Sequence, residues 1–379
     1  MELSEIRKEI DLADEALLGA FLRRMELCRQ VGQYKAQAGL PVLNRARERE
    51  ILDRVMAESG DLAPYAHRLY TTLFELSRSC QAPLTAASSP LREKIAASLC
   101  PDGELFPDSG TVACQGVEGA YSQMAADAIF PRGSLMFFKT FESVFDAVKS
   151  GLCRYGVLPI ENSSNGSVQQ VYDLIRRKNV SIIRSKRLCI SHRLLVKPGV
   201  SLSEITEIHS HEQALGQCSA FLKSLGSRVK VISEPNTALA AELVAKSENR
   251  GAAAISSSDC AGLYGLEALP ANIQNSDNNY TRFIVITKTP RVYPGANRIS
   301  LILALEHRPG SLYDILARLA ALELNLLKLE SRPMVGHDFE FRFFFEFEGS
   351  VRDQRVVSML SELERQCPEF CYLGNYGEF

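Results

Sequence analysis

Four prolines, Pro83, Pro90, Pro101 and Pro107, fall between Ala82 and Gly110, and the spacing of apolar residues changes across them. Proline removes a backbone donor and fixes φ, so a run this dense reads as a connector, with room for one short helix from about Leu91 to Leu99. Before it the period is helical: Ile6, Ile10, Leu17 and Phe21 step by four and seven residues. A first helix is expected to run to about Val31. Gly39 and Pro41 then punctuate, and two more helices follow, from about Val42 to Ser59 and from about Pro64 to Gln81. One long and two shorter helices make a poor core alone, so the apolar stripe of the first points to pairing with a second copy.

After the connector, TVACQG, LMFF and YGVLPIEN read as strands, with helices YSQMAADAIF and FESVFDAVKSG between them. That alternation predicts an α/β domain with a largely parallel sheet, and ligands on such sheets bind beyond the strand C-termini. The alternation repeats in KVISEPNTALAAELVAK and GAAAISSS, which predicts two lobes and a cleft. Residues 259–283 read as one long loop, and IVI in NNYTRFIVI as the start of a strand. Past Pro290 the runs RISLILAL, GSLYDILARLAAL, NLLKLESRP, DFEFRFFFEFEG, VRDQRVVSMLSELE and EFCYLGNY spell βαββαβ, a ferredoxin-like α+β unit. DFEFRFFFEF alternates charged and aromatic residues. The expected division is residues 1–82 all-helical, 83–109 connector, 110–290 two-lobed α/β, and 297–379 ferredoxin-like.

A formal net charge of −2 gives no case for nucleic acid. The charged, periodic N-terminus MELSEIRKEIDLADEALL is not that of a signal peptide, and no apolar run approaches the roughly 18 residues of a membrane span. The ten cysteines lack a CxxC pair and read as reduced thiols, which implies a cytoplasmic location without glycosylation at Asn162 or Asn279. His209 and His211 stand two apart on an expected strand and face opposite ways, so no metal site is expected. No feature demands an organic cofactor.

Arg24 and Lys35 are 11 residues apart, about three turns plus 20°, and share a face with Val31. Arg7 lies 24 − 7 = 17 residues before Arg24, about 25 Å along the axis and roughly 100° around it. One small ligand cannot touch both on one helix, but Arg7 of a partner in an antiparallel dimer can reach the site. Arg47 and Glu48 on the second helix, and Ser77 and Gln81 at i, i+4 on the third, can complete a pocket. By spacing alone, solvated charge on amphipathic helices is the simpler reading.

The runs IRKEIDLADEALL, RRMELCRQVGQYK and NRARERE, within residues 5–81, resemble the all-helical chorismate mutase family. The resemblance places Arg7 (from the partner), Arg24, Val31, Lys35, Arg47, Glu48, Ser77 and Gln81 in the site, with Asn44 where the family often has Asp. It implies the pericyclic rearrangement of chorismate to prephenate. Arginines would clamp the dicarboxylate in a compact conformer, while Lys35 and Gln81 donate to the ether oxygen as charge builds there.

Polar residues also gather where the α/β sheet should bind a ligand. Taken singly, PIENSSNGSV and SHEQALGQC are turn chemistry. Together with QGVEGAYSQMAA, LYGL and NNYTRF they resemble prephenate dehydratase over about residues 110–288. The resemblance implies a two-lobed, periplasmic-binding-protein-like domain with a signature at Thr281, Arg282 and Phe283. Thr281 would protonate the departing ring hydroxyl of prephenate as carbon dioxide leaves, giving phenylpyruvate. Asn162, Ser210 and Gln217 would orient substrate, and Arg282 would pair with a carboxylate or fix the loop.

RPGSLYDIL and NLLKLESRP resemble an ACT regulatory domain. The resemblance implies phenylalanine bound by Gly310, Ser311, Leu312, Glu330, Ser331, Arg332 and Pro333 at a dimer interface, favouring a low-activity state. Ser311 replaces the more usual alanine. The order of modules resembles that of the bifunctional P-protein family, which implies a homodimer or higher homo-oligomer. A mutase joined to a dehydrogenase is disfavoured because QGVEGAYS lacks the GxGxxG spacing. A catalytically silent amino-acid sensor built from the same modules is the rival, and the Arg24/Lys35 stripe and the Thr281 hydroxyl argue against it.

Overall fold

A computed structural model describes residues 2–40, 43–85, 89–334 and 341–379. Its contacts divide the chain into two units, Met1–Ile95 with Arg352–Gln366, and Ala96–Val351 with Cys367–Phe379. No helix among the described residues is long and apolar enough to cross a membrane.

The first unit is helical: α1 (Leu3–Ala38), α2 (Arg45–Glu58) and α3 (Ala63–Thr85) lead to α4 (Pro90–Ser98). α1 outlasts its expected end at Val31 because GQYKAQA sustains the helix until Gly39 takes the left-handed conformation, φ 64°, that closes it. Asn44 caps α2, its side chain accepting from the backbone N–H of Arg47 at 3.1 Å. α1 and α2 both pack on α3. Residues 2–20 of α1 are exposed throughout, including Ile6, Ile10, Leu17 and Leu18. A later helix (Gln354–Gln366), read from sequence with the ferredoxin-like unit, also packs against α3.

In the second unit β1 (Ser109–Gln115), α5 (Tyr121–Ile129), β2 (Arg132–Phe138), α6 (Phe141–Ser150), β3 (Tyr155–Asn162), β4 (Gly166–Ser167), α7 (Gln169–Lys178) and β5 (Ser181–Cys189) form one lobe. The chain crosses once, and β6 (Arg193–Val196), β7 (Glu207–Ser210), α8 (Glu212–Gln217), α9 (Ser219–Ser224), β8 (Lys230–Ser233), α10 (Thr237–Lys246), β9 (Ala252–Ser256), α11 (Asp259–Tyr264) and β10 (Glu267–Ala268) build the other. It crosses back into β11 (Tyr280–Thr287) and continues through β12 (Arg298–Ala304), α12 (Ser311–Ala321), β13 (Leu326–Pro333), β14 (Phe341–Glu348) and β15 (Glu369–Glu378), the last two joined through α13 (Gln354–Gln366), which belongs to the first unit. The stretch read as one loop therefore holds α11 and β10. β11 begins at Tyr280, so Thr281, Arg282 and Phe283 lie inside a strand rather than ahead of one.

The sheets are mixed rather than largely parallel. β2, β1 and β3 are parallel, but β11 enters from the other lobe and runs antiparallel between β3 and β5. The second lobe orders its strands β10-β6-β9-β7-β8. β13-β14-β12-β15 has the ferredoxin-like order, and β15 pairs with β5 to make a single ten-stranded sheet. Gly374 permits that junction. Its φ is 150°, and a Cβ there would stand 2.1 Å from the Ile182 carbonyl oxygen. The core on one sheet face joins Ile284 and Ile286 to Ile302, Phe344 and Tyr376, while Phe283 and Val285 belong to the core on the other.

Alternation along β14 does not turn its charged face to water. Glu346 is 1% exposed and takes Arg282, itself 4% exposed, in a two-pronged pair whose Nη2–Oε2 contact is 2.7 Å. Arg298 reaches the same carboxylate at 2.9 Å. Residues 338–340 of the expected strand lie outside the described residues.

Candidate functional site

β3 ends at Asn162 and β7 at Ser210, and beside them lies a cleft of ≈ 700 Å³ lined by Asn162, Asn165, Ser167, His211, Gln217 and Asn279, among others.

Asn162 organises the cleft wall. Its Oδ1 accepts the backbone N–H groups of Ser164 (3.0 Å) and Asn165 (3.1 Å), which turns its Nδ2 toward Thr281 Oγ1 at 2.9 Å and Asn279 Oδ1 at 3.0 Å. Asn279 in turn donates to Gln217 Oε1 at 2.8 Å. Thr281 is 9% exposed, and its hydroxyl accepts from Asn162 while donating to no protein group among the described residues. Thr281 does not itself line the cavity; it stands beside Asn162, which does, with an amide donor on its oxygen and its proton given to no described protein group. That arrangement stabilises an alkoxide.

Three expected site residues lie elsewhere. Ser210 is fully buried and donates to the Ile255 carbonyl at 2.6 Å, holding β7 to β9. Phe283 is packed in the core. Arg282 alternates to the sheet face opposite Thr281, where Glu346 holds it and Glu161 lies 2.7 Å from Nε, off the N–H axis. That pair ties β11 to β14, and Arg282 does not line the cleft.

In the helical unit Arg24 folds against α3. Its guanidinium donates to Ser77 Oγ and to the Leu73 carbonyl (3.1 Å) and lies 5.6 Å from the Phe74 ring centre. Glu48 pairs with Arg78 at 2.5 Å, and Gln81 is buried one turn beyond Ser77. Arg47 does not join them. It pairs with Glu50 at 2.7 Å in solvent, because consecutive helical residues point about 100° apart. Val31 is 45% exposed, Lys35 half-buried, and Arg7 lies on the exposed arm of α1.

A sequence profile described as chorismate mutase type II matches residues 6–82, and one described as prephenate dehydratase matches residues 112–291. The bifunctional chorismate mutase/prephenate dehydratase of Aquifex aeolicus is 31% identical over 378 residues, 99% of this chain and 98% of that one. The chain belongs to the bifunctional chorismate mutase/prephenate dehydratase family. Arogenate dehydratase/prephenate dehydratase 2 of Arabidopsis thaliana is 36% identical over 277 residues, 70% of this chain and 72% of its own. The crystal structure of prephenate dehydratase from Arthrobacter aurescens in complex with L-Phe matches with a TM-score of 0.64 at 28% identity, covering 70% of this chain and 89% of that one.

The bifunctional enzyme's C-terminal segment shows its expected ligand residues in two places. Gly310, with φ 89°, precedes α12, where Ser311 donates to the Glu306 and Arg308 carbonyls at 2.7 and 3.1 Å. Ser311 and Leu312 border a cavity of ≈ 120 Å³ that none of residues 330–333 lines. On β13, Glu330 accepts from Ser167 and Arg332 donates to the Gln169 carbonyl at 3.2 Å, so both face the dehydratase lobe. Ser331 and Pro333 alternate outward and are exposed. Asn279, His211 and Asn165 are cleft residues that sequence reasoning passed over, although each stood within or beside a quoted run.

Proposed function

We propose that residues 1–82 rearrange chorismate to prephenate and that residues 110–290 convert prephenate to phenylpyruvate, under feedback control by phenylalanine at residues 297–379. In the mutase, Arg24 binds the substrate dicarboxylate, Lys35 and Gln81 donate to the ether oxygen, and Arg7 arrives from a second copy. The bare apolar arm of α1 supports that pairing. In the dehydratase, Thr281 gives its proton to the leaving hydroxyl while Asn162 holds the alkoxide, and the Gln217 amide contacts the substrate anion.

The observation that carries the dehydratase reading is the 2.9 Å hydrogen bond from Asn162 Nδ2 to a Thr281 hydroxyl that donates to no described protein group. Phenylalanine would bind between two C-terminal segments, Gly310–Leu312 of one meeting the outward Ser331 and Pro333 of the other. The exposure of that strand face supports this placement. To matter, it must bind the low-activity state more tightly than the active one. The test is to supply chorismate and prephenate separately, each with and without phenylalanine. Turnover of both, with phenylalanine slowing the dehydratase, is the expected outcome; failure to consume either substrate contradicts the reading.

A further inference from the structure

The side-chain amides between the two lobes form a chain whose polarity can be read from one end to the other. Backbone N–H groups fix Asn162 Oδ1, so Asn162 Nδ2 faces Asn279 Oδ1, and Asn279 Nδ2 must face Gln217 Oε1 at 2.8 Å. The same Gln217 oxygen lies 2.9 Å from His192 Nε2. A carbonyl oxygen cannot donate, so Nε2 carries the imidazole proton. Nδ1 lies 3.2 Å from the Tyr121 hydroxyl, which donates to the Ser191 carbonyl at 2.8 Å. His192 is 4% exposed and sits on the first crossover between lobes, which Gln274 ties to the second through the His192 N–H (3.0 Å) and the Ile190 carbonyl (3.2 Å).

Gln217 Oε1 therefore receives two donors, while among the described residues its amide nitrogen has a 3.5 Å contact with Asn279 Oδ1 alone. Gln217 borders the cleft, so the cleft meets an N–H donor rather than a carbonyl lone pair. We propose that His192 is a positioning residue for the dehydratase, its Nε2–H clamping the Gln217 carbonyl so that the Gln217 amide N–H faces the substrate carboxylate. This rests on the reading of the cleft as the prephenate site. Losing the clamp lets the amide swing about its Asn279 contact, which weakens substrate binding more than it slows chemistry.

The test measures prephenate saturation in the full chain for His192→Leu, His192→Asn and His192→Gln. Glutamine can place an N–H near the position of Nε2; asparagine and leucine cannot. The Leu and Asn variants should raise KM about tenfold with kcat within about twofold, and the Gln variant should restore KM to within about twofold. Wild-type KM in the Asn variant, or equal impairment by Asn and Gln, overturns the proposal. If the Leu variant does not fold, the Asn/Gln pair decides alone. Thr281→Val run in parallel separates the two claims: undiminished turnover there refutes the proton donor, whereas the His192 series is judged on KM with Thr281 intact.

Discussion

Replacing Glu346 by Gln should destabilise the unit that contains the dehydratase, although Glu346 lies on β14 of the C-terminal segment. The Arg282 guanidinium is 4% exposed and Glu346 is 1% exposed, so neither can turn to water when the other is lost. Removing one member of such a pair costs ~3–5 kcal/mol. Glu161, 2.7 Å from Arg282 Nε and 31% exposed, remains as a weaker counter-ion and sets the expectation at the lower end, about 3 kcal/mol. At roughly 2–4 °C per kcal/mol for a large domain, the melting temperature should fall by about 6–12 °C. Burial alone would raise the Glu346 pKa, but the Arg282 hydrogen bond and charge, with those of Arg298, hold it below the usual carboxylate range. A depressed carboxyl contributes stability that is present above its unfolded pKa of about 4.3 and is lost as pH falls through the folded value. Glu346→Gln should therefore flatten the acid limb of a stability-versus-pH curve measured by thermal or urea unfolding. The pair Arg282→Met/Glu346→Leu, which removes both charges, should lie closer to wild type than either single change. A melting point within about 1 °C of wild type for Glu346→Gln, or a double variant as unstable as the two singles summed, would refute the reasoning.

Arg24→Ala should lower mutase kcat/KM at least about hundredfold while the far-ultraviolet circular dichroism stays helical. Asn162→Ala removes the donor on Thr281 Oγ1 and should lower dehydratase kcat about 10²–10³-fold, measured with prephenate supplied directly. Leu312→Asp, at the α12 cavity, should abolish inhibition by phenylalanine in the same assay. That point change is cleaner than deleting residues 297–379, which would also remove Glu346 and unpair β5 from β15.

The helices, the βαββαβ order and the lobe alternation were legible because each follows from local periodicity. What escaped was set by contacts distant in sequence. β11 follows a crossover, and nothing in NNYTRFIVI announces that it will run antiparallel between β3 and β5. The choice for Arg282 between a carboxylate partner and fixing the loop stayed open because its partner Glu346 lies 64 residues away. Arg47 and Glu48 looked like one pocket because adjacency in sequence hides their divergence on a helix. Thr281, Asn162 and Gln217 were found as motif members, but the Asn279 link between them required the fold.

The decisive measurement is phenylpyruvate formation by full-length Thr281→Val supplied with prephenate, alongside prephenate formation from chorismate by the same preparation. The account predicts that the first is lost and the second retained, since a valine keeps the shape of the side chain and removes only the alcohol. Phenylpyruvate made at the wild-type rate would contradict it.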